Sequence, residues 1–189
     1  MSESLSKAVL DACVIFRAAL RDTLLRAASA GLYEVYWSDT ILQEVSRNLV
    51  ENGRMSPQQA QRLLMRMNEF FPNATASGFE RLIPIMTNDE KDRHVLAAAV
   101  VVEATVIVTS NLRDFPDRAL APLGIQALSP DKFLMRLFYE YSERMMRIIT
   151  EQAAQLRNPP KTVEEVLDEL ALDAPQFAAA IRSGLGERE

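Results

Sequence analysis

Cysteine and glycine are scarce in this sequence, and each scarcity excludes a class of site. The one cysteine, Cys13, cannot form an intramolecular disulfide or a cysteine-based zinc site. The six glycines are scattered singly, so neither a P-loop nor a GxGxxG fingerprint is present. The apolar run near the start is short and contains Asp11, so we expect no signal peptide, no membrane span and a cytoplasmic location.

Positive charge is also scarce for a protein that would bind nucleic acid. The net charge is −5, whereas binding to a polyanion depends mainly on neutralising its phosphates. Residues 1–130, however, carry 13 Lys and Arg against 15 Asp and Glu, and four of these acids are the candidate metal ligands considered below. The composition therefore allows a nucleic-acid partner that is bound weakly, or with help from a metal ion or a second subunit.

Apolar, β-prone runs alternate with helical segments up to residue 130, which is typical of a central parallel sheet flanked by helices. The run TVIVTSN (105–111) is apolar on both faces until Thr109, as expected for a strand in the middle of such a sheet. The other strands are predicted within residues 8–16, 33–37, 81–86 and 124–128. The first of these strands runs directly into a helix that ends at Gly31. Further helices are predicted over 38–53, 56–71 and 88–104.

The chain beyond Ser129 has a different pattern, which predicts a C-terminal helical extension. A long amphipathic helix is expected over 131–156, and Asn158 with two prolines then forms the only plausible linker. Thr162 and Glu165 match a capping box, and Gly184 is expected to close a helical hairpin over 161–184. We therefore predict a domain over 1–130 and an extension over 131–189.

Four acidic residues are placed where they can converge at one edge of the predicted sheet. Asp11 and Asp114 each follow a buried strand, and the carboxyl ends of parallel strands share one crevice. Glu44 and Asp92 each stand near the start of a helix, and helix starts lie over the same edge. Each acid also has a simpler interpretation. Asp11 could cap a helix, and Glu44 could lie on a solvated face. Asp92 could be a favourable charge at a helix N-terminus, and Asp114 could belong to an ordinary turn.

Converging carboxylates would repel each other strongly unless a cation joined them. Carboxylate and water ligands select hard ions, so Mg²⁺ or Mn²⁺ is the expected cofactor. Such an ion polarises a phosphoryl oxygen and activates water, which is what hydrolysis of a phosphodiester requires. The motifs of two other carboxylate-dependent α/β classes are missing from this sequence. It lacks the acid pair and the lysine of receiver domains, and Asp11 does not begin the Asp-x-Asp motif of haloacid-dehalogenase-like phosphatases.

The segments LDACVIF, ILQEV and DEKDRHVLAAAVVVEATVIVTSNLRDFP resemble the PIN domain nucleases, including the VapC-type toxins of prokaryotic toxin–antitoxin pairs. The resemblance covers the first 130 residues and implies a flavodoxin-like, three-layer α/β fold. It assigns the catalytic and metal-binding roles to Asp11, Glu44, Asp92 and Asp114, with Asn111 and Thr109 as further contacts in the site. Asp89 stays open as an alternative to Asp92.

The same resemblance implies a metal-dependent endoribonuclease that acts on RNA, forms a homodimer and is neutralised by a cognate antitoxin. The segment after Ser129 resembles a helical module found in some PIN toxins. Two alternatives stay open at this stage: a housekeeping RNA-processing nuclease, and an inactive PIN scaffold that binds RNA or protein without cutting. His94, the sole histidine, is expected to be a packed or surface residue.

Overall fold

A computed structural model describes residues 6–186, in which five short strands form a parallel sheet. Strands β1 to β5 are Lys7–Leu10, Glu34–Ser38, Thr75–Ala76, Val106–Val108 and Gln126–Leu128. Their order across the sheet is β3-β2-β1-β4-β5, so the order reverses direction between β1 and β4. The run 105–111 supplies a central strand and 124–128 an edge strand, as predicted. The expected α/β fold class is confirmed.

Helices account for most of the remaining chain, and several of them begin beside a capping side chain. Helices α1 to α9 are Ala12–Ile15, Ala18–Ser29, Asp39–Glu51, Pro57–Phe70, Arg93–Val101, Asp117–Leu120, Pro130–Gln155, Val163–Ala171 and Pro175–Gly186. Ser38 caps α3 by accepting from the Ile41 N–H, which satisfies an otherwise free helix donor. Ser56 with Gln59, and Thr162 with Glu165, form complete capping boxes at α4 and α8.

Two local predictions are wrong. The β-prone segment 81–86 contains a 3-10 turn, Ile83–Ile85, because Pro84 has no N–H to donate to a strand ladder. The edge strand forms earlier instead, at Thr75–Ala76. The helix expected to run without a break to Gly31 is divided, because Arg17 has an extended backbone (φ −78°, ψ 111°) between α1 and α2.

The chain divides into two units that are each compact. The first contains the sheet and consists of the chain up to Phe16 together with Tyr33–Leu128. The second consists of Arg17–Leu32 together with the chain from Ser129, so α2 groups with the C-terminal helices. That grouping brings together segments far apart in sequence, which the local sequence pattern does not reveal. The contiguous division at residue 130 stays a prediction.

Buried polar contacts connect the helices of the second unit. The Thr23 hydroxyl of α2 donates to the Gln152 side chain of α7 at 2.7 Å, and both residues are buried. The Asp131 carboxylate of α7 accepts from the backbone N–H groups of Gln176 (3.3 Å) and Phe177 (2.9 Å) in α9. Asp131 thereby serves as a cap for a helix other than its own, where a negative charge also favours the helix N-terminus.

One feature of these helices was not predicted, and one was predicted wrongly. Helix α7 bends at Tyr141, whose backbone is not helical (φ −135°, ψ 46°). Gly184 does not close the hairpin, because α9 continues to Gly186. A Cβ atom at Gly184 would lie 2.7 Å from the Met146 sulfur, so this glycine permits close packing of α9 on α7. Within residues 6–186, none of the helices combines the length and hydropathy that a membrane span needs.

We predict that Asp131→Ala lowers the free energy of unfolding by about 1–3 kcal/mol, because two α9 donors lose their acceptor and Phe177 is fully buried. Chemical denaturation of the full chain measures the change. Glu151→Ala, an exposed substitution on the same helix, is the control and should stay within about 0.5 kcal/mol of the wild type. Equal effects of the two variants would contradict the capping role of Asp131.

Candidate functional site

Asp11 lies directly after β1, at the carboxyl edge of the sheet, and is 3% exposed. Its backbone N–H donates to the Val108 carbonyl of β4 at 3.0 Å, so it sits between β1 and β4. This is the position at which the strand order reverses. In open α/β sheets the crevice outside such a reversal point is the usual ligand site. Asp11 therefore marks the place where a site is expected.

Three donors hold the Asp11 carboxylate in one orientation. The Ala12 N–H donates to Oδ1 at 2.6 Å, and Oδ2 accepts from the Thr109 hydroxyl at 2.6 Å and the Cys13 thiol at 3.2 Å. The Thr109 hydroxyl oxygen accepts from the Asn111 N–H at 3.0 Å, while the Asn111 side chain is exposed. Asp11 thus caps α1, which was the simpler interpretation of this residue from the sequence. The same contacts also fix a carboxylate at the crevice.

Asp92 faces Asp11 and Asp114. Burial is the largest cause that raises the pKa of the Asp92 carboxyl to about 6, and the neighbouring charges of Asp11 and Asp114 are the next. Lys91 opposes this rise, and Asp89 adds a smaller contribution in the same direction as the other acids. The Asp92 Oδ2 atom is buried and has no hydrogen-bond partner among the described residues. Asp92 therefore lies close enough to Asp11 and to Asp114 to be repelled by each of them.

Asp114 enters this cluster from the 3-10 turn Leu112–Asp114 that follows β4. The Lys91 ammonium nitrogen lies 3.8 Å from Asp114 Oδ2, and the lysine side chain is largely exposed. The Asp114 carbonyl accepts from the Asp89 N–H at 3.1 Å, which ties the loop after β4 to the turn before α5. This backbone bond holds Asp114 and Asp92 on adjoining segments.

Glu44 is less directly joined to the cluster. Its Oε1 lies 3.2 Å from Nε2 of His94, in the first turn of α5. The contact has the distance of an ion pair but not the geometry of a hydrogen bond, since neither His94 ring nitrogen has a hydrogen-bond partner within residues 6–186. Glu44 is not among the charges that shift the pKa of Asp92. The structure thus brings Asp11, Asp92 and Asp114 together and leaves Glu44 beside the histidine.

Asp89 and Asp92 have different surroundings. Asp89 is exposed and caps the 3-10 turn Glu90–Asp92, where its carboxylate accepts from the Lys91 N–H at 3.3 Å. Asp92 makes no capping bond at the start of α5 and is half-buried among the other acids. These surroundings favour Asp92 over Asp89 as the candidate ligand.

Two polar residues near the site were missed in the sequence. Cys13 is half-buried, and its sulfur also accepts from the Ser110 N–H at 3.3 Å. Burial raises the pKa of its thiol to about 11, with the Asp11 charge as the next cause. Asn88 is 4% exposed, and neither polar atom of its side chain has a partner within the described chain. The position of Cys13, two residues after Asp11, was the signal in the sequence that could have indicated a contact between their side chains.

The acidic cluster fits a hard divalent cation by its chemistry. Within residues 6–186, no group of three or more Asp, Glu, His or Cys side chains already has the spacing of a metal site. The charges of Asp11 and Asp114 nevertheless both act on Asp92, and Asp92 Oδ2 has no partner among the described residues. A cation would remove the repulsion and provide that partner, and oxygen ligands suit Mg²⁺ or Mn²⁺.

Comparisons with known proteins agree with this picture. Residues 7–113 match a family model described as a PIN domain, and residues 130–183 match a model described as a VapC50 C-terminal domain. The chain is 48% identical over 109 residues to a Mycobacterium tuberculosis protein named "Putative ribonuclease VapC50". The aligned part covers 58% of this chain and 64% of that relative. No solved structure matches the chain.

We predict that the Asp92 carboxyl makes the stability of the metal-free protein depend on pH. Its folded-state pKa of about 6 lies above the ordinary value of 3.8, so the folded protein binds this proton more tightly than the unfolded chain. The resulting stabilisation is present at low pH and is lost as the pH rises through about 6. Asp92→Asn should therefore melt above the wild type at neutral pH, by a margin that shrinks on acidification.

Thermal unfolding in EDTA across this pH range measures the margin. Glu90→Gln is the control, because Glu90 is exposed and is not among the charges that act on Asp92, so its curve should parallel the wild type. An Asp92→Asn margin that does not change with pH would show that neither burial nor the neighbouring charges raise the pKa of this carboxyl.

Proposed function

Because the chain belongs to the PIN domain family, we propose that it is a metal-dependent endoribonuclease that hydrolyses RNA phosphodiester bonds, as the toxin of a type II toxin–antitoxin pair. The observation that carries this proposal is that the charges of Asp11 and Asp114, which follow the two strands where the strand order reverses, both act on the half-buried Asp92. Supporting it are the similarity to a relative named as a ribonuclease and the match of residues 130–183 to the VapC50 C-terminal model.

The proposed ligands of the ion are Asp11, Glu44, Asp92 and Asp114. When bound, a divalent cation supplies Lewis-acid polarisation of the scissile phosphate and a water of lowered pKa. Thr109 orients Asp11 through the hydroxyl that donates to Oδ2, and His94 positions Glu44. The ammonium group of Lys91 beside Asp114 is exposed and can meet a phosphate oxygen of the substrate.

We further propose the partners that belong to this activity. The substrate is RNA, the chain acts as a cytoplasmic homodimer, and a cognate antitoxin neutralises it. The exposed Asn111 side chain would contact the substrate from the loop after β4. A housekeeping RNA-processing role would use the same residues, and a neighbouring gene for a small antitoxin distinguishes the two.

One observation favours a second candidate, an inactive scaffold that binds RNA or protein. Glu44 contacts His94, and the described acids do not form a ready-made metal site. A nuclease that assembles its ligands only when the ion binds would show the same arrangement. Cleavage and metal binding decide between these candidates.

We predict that the full chain cleaves RNA with Mn²⁺ or Mg²⁺ and that EDTA abolishes cleavage. Asp11→Asn and Asp92→Asn should each reduce the rate by more than about 100-fold, since loss of even an outer hydrogen-bond partner costs a metal site roughly 10- to 100-fold. Asp89→Asn is the matched control and should stay close to the wild-type rate. Loss of activity in Asp89→Asn with retention in Asp92→Asn would reverse the assignment of the ligand.

We predict that Thr109→Val weakens Mn²⁺ binding by roughly 10- to 100-fold, because the Asp11 carboxylate loses a 2.6 Å donor while the side chain keeps its shape. Isothermal titration with Mn²⁺ measures the affinity without any need for cleavage. Thr105→Val, an exposed threonine just before the same strand, is the matched control and should bind Mn²⁺ as the wild type does. Equal affinities in both variants would remove Thr109 from the site.

A further inference from the structure

We propose that the second unit contains its own RNA-binding site, a cleft between α7 and α9 that holds one unpaired nucleotide. The cleft has a volume of about 360 Å³ and is lined by Lys132, Met135, Arg136, Tyr139 and Gln176. We call it the α7–α9 cleft. Its volume is at the lower end of the roughly 300–1,000 Å³ typical of ligand pockets, which suits a single nucleotide better than a folded segment.

Two cations that form no ion pair within the described chain stand on one wall of the α7–α9 cleft. Lys132 and Arg136 are four residues apart on α7, so they lie on one face of the helix, and both are exposed. Neither forms an ion pair with any described residue. Other cations of the same unit are neutralised, as in the pairs Arg17–Asp173 and Lys161–Glu169. The cleft therefore presents positive charge that the described residues do not satisfy.

Nearby acids do not cancel this charge. The Asp131 carboxylate is buried and engaged by the first turn of α9, through the N–H groups of Gln176 and Phe177. Glu140 is exposed one turn after Arg136 but does not line the cleft. No acidic residue is among the lining side chains that the structure describes. A phosphate is the anion that such a pair of Lys and Arg side chains suits.

Tyr139 gives the cleft a surface on which a base can stack. Its side chain is 79% exposed, which is unusual for a large aromatic residue. The ring rests beside Phe138 at 6.5 Å between centroids, and Phe138 in turn packs edge-on against the buried Phe177. The exposed ring is thus supported from the core side. An aromatic platform next to cations is the combination that binds single-stranded nucleic acid.

A protein partner fits the α7–α9 cleft less well than RNA does. The cores of protein interfaces are enriched in tyrosine, methionine and arginine but depleted in lysine, and this lining has two cations, Lys132 and Arg136, for one aromatic ring. Here Met135 and Tyr139 are the only described lining residues with large apolar surfaces. An acidic peptide is the alternative occupant that the experiment has to exclude.

The experiment measures RNA binding by the full chain in EDTA, so that binding is observed without cleavage. The probe is a fluorescently labelled, single-stranded oligouridine, followed by anisotropy over a series of salt concentrations. Tyr139→Ala should weaken binding by roughly 5-fold or more, and Tyr139→Phe should keep wild-type affinity because the ring still stacks. The double variant Lys132→Ala/Arg136→Ala should reduce the slope of log K against log salt by about 0.7 for each phosphate that the variant no longer neutralises.

Arg147→Ala is the control for the loss of a cation, because Arg147 is exposed on the same helix and does not line the cleft. Any of four results overturns the inference. The first three are absence of RNA binding by the wild type, equal binding by Tyr139→Ala and Tyr139→Phe, and equal salt slopes for Arg147→Ala and the double variant. A fourth is binding of an oligoglutamate peptide that weakens with Tyr139→Ala while RNA binding does not.

The inference rests on the proposed function in that RNA is the expected substrate, but the two can fail separately. If the wild type cleaves RNA with Mn²⁺ and the cleft variants bind oligouridine normally, the cleft proposal is wrong and the nuclease stands. If the cleft variants lose binding but no metal supports cleavage, the nuclease proposal is wrong and the cleft stands. Melting curves of each variant show whether the fold is intact.

Discussion

The burial of the Asp92 carboxyl beside the charges of Asp11 and Asp114 is the constraint on which the candidate site depends. Two like charges about 4 Å apart repel by roughly 4 kcal/mol at an effective dielectric near 20, so such a cluster persists only where the fold holds it. Here the backbone bond from Asp11 to Val108 and the bond from Asp89 to Asp114 fix the segments involved. Burial first, and then the charges of Asp11 and Asp114, raise the pKa of Asp92 in the protein without a metal ion.

Much of the fold followed from the sequence because the signals were local and strong. Serine and threonine caps at Ser38, Ser56 and Thr162 define helix starts through one side-chain bond each, and the apolar run 105–111 has few alternatives to a buried strand. The failures involve longer-range or weaker signals. Packing against other segments brings α2 together with the C-terminal helices, and the two-residue strand Thr75–Ala76 is too short to have a pattern of its own.

The acids of the candidate site were found for a topological reason: residues that follow parallel strands share an edge whatever their separation in sequence. That argument works for Asp11 and Asp114 but says nothing about which way a helical side chain turns, so it could not reveal that Glu44 contacts His94. It also gave no account of residues that touch an acid without being acidic. Cys13 is an example, since a thiol becomes recognisable as a carboxylate donor only once the loops are folded, whereas Thr109 was named through the family resemblance.

The donation from Cys13 to Asp11 has a practical consequence for spectroscopy. A thiol with a pKa of about 11 is almost entirely protonated at neutral pH, and it is the thiolate that attacks maleimides and other alkylating reagents. Since Cys13 is the only cysteine in the chain, a second cysteine engineered on the surface would be labelled in strong preference to it. A fluorophore or spin label can thus be attached at a chosen point while the native sulfur keeps its place beside the carboxylate.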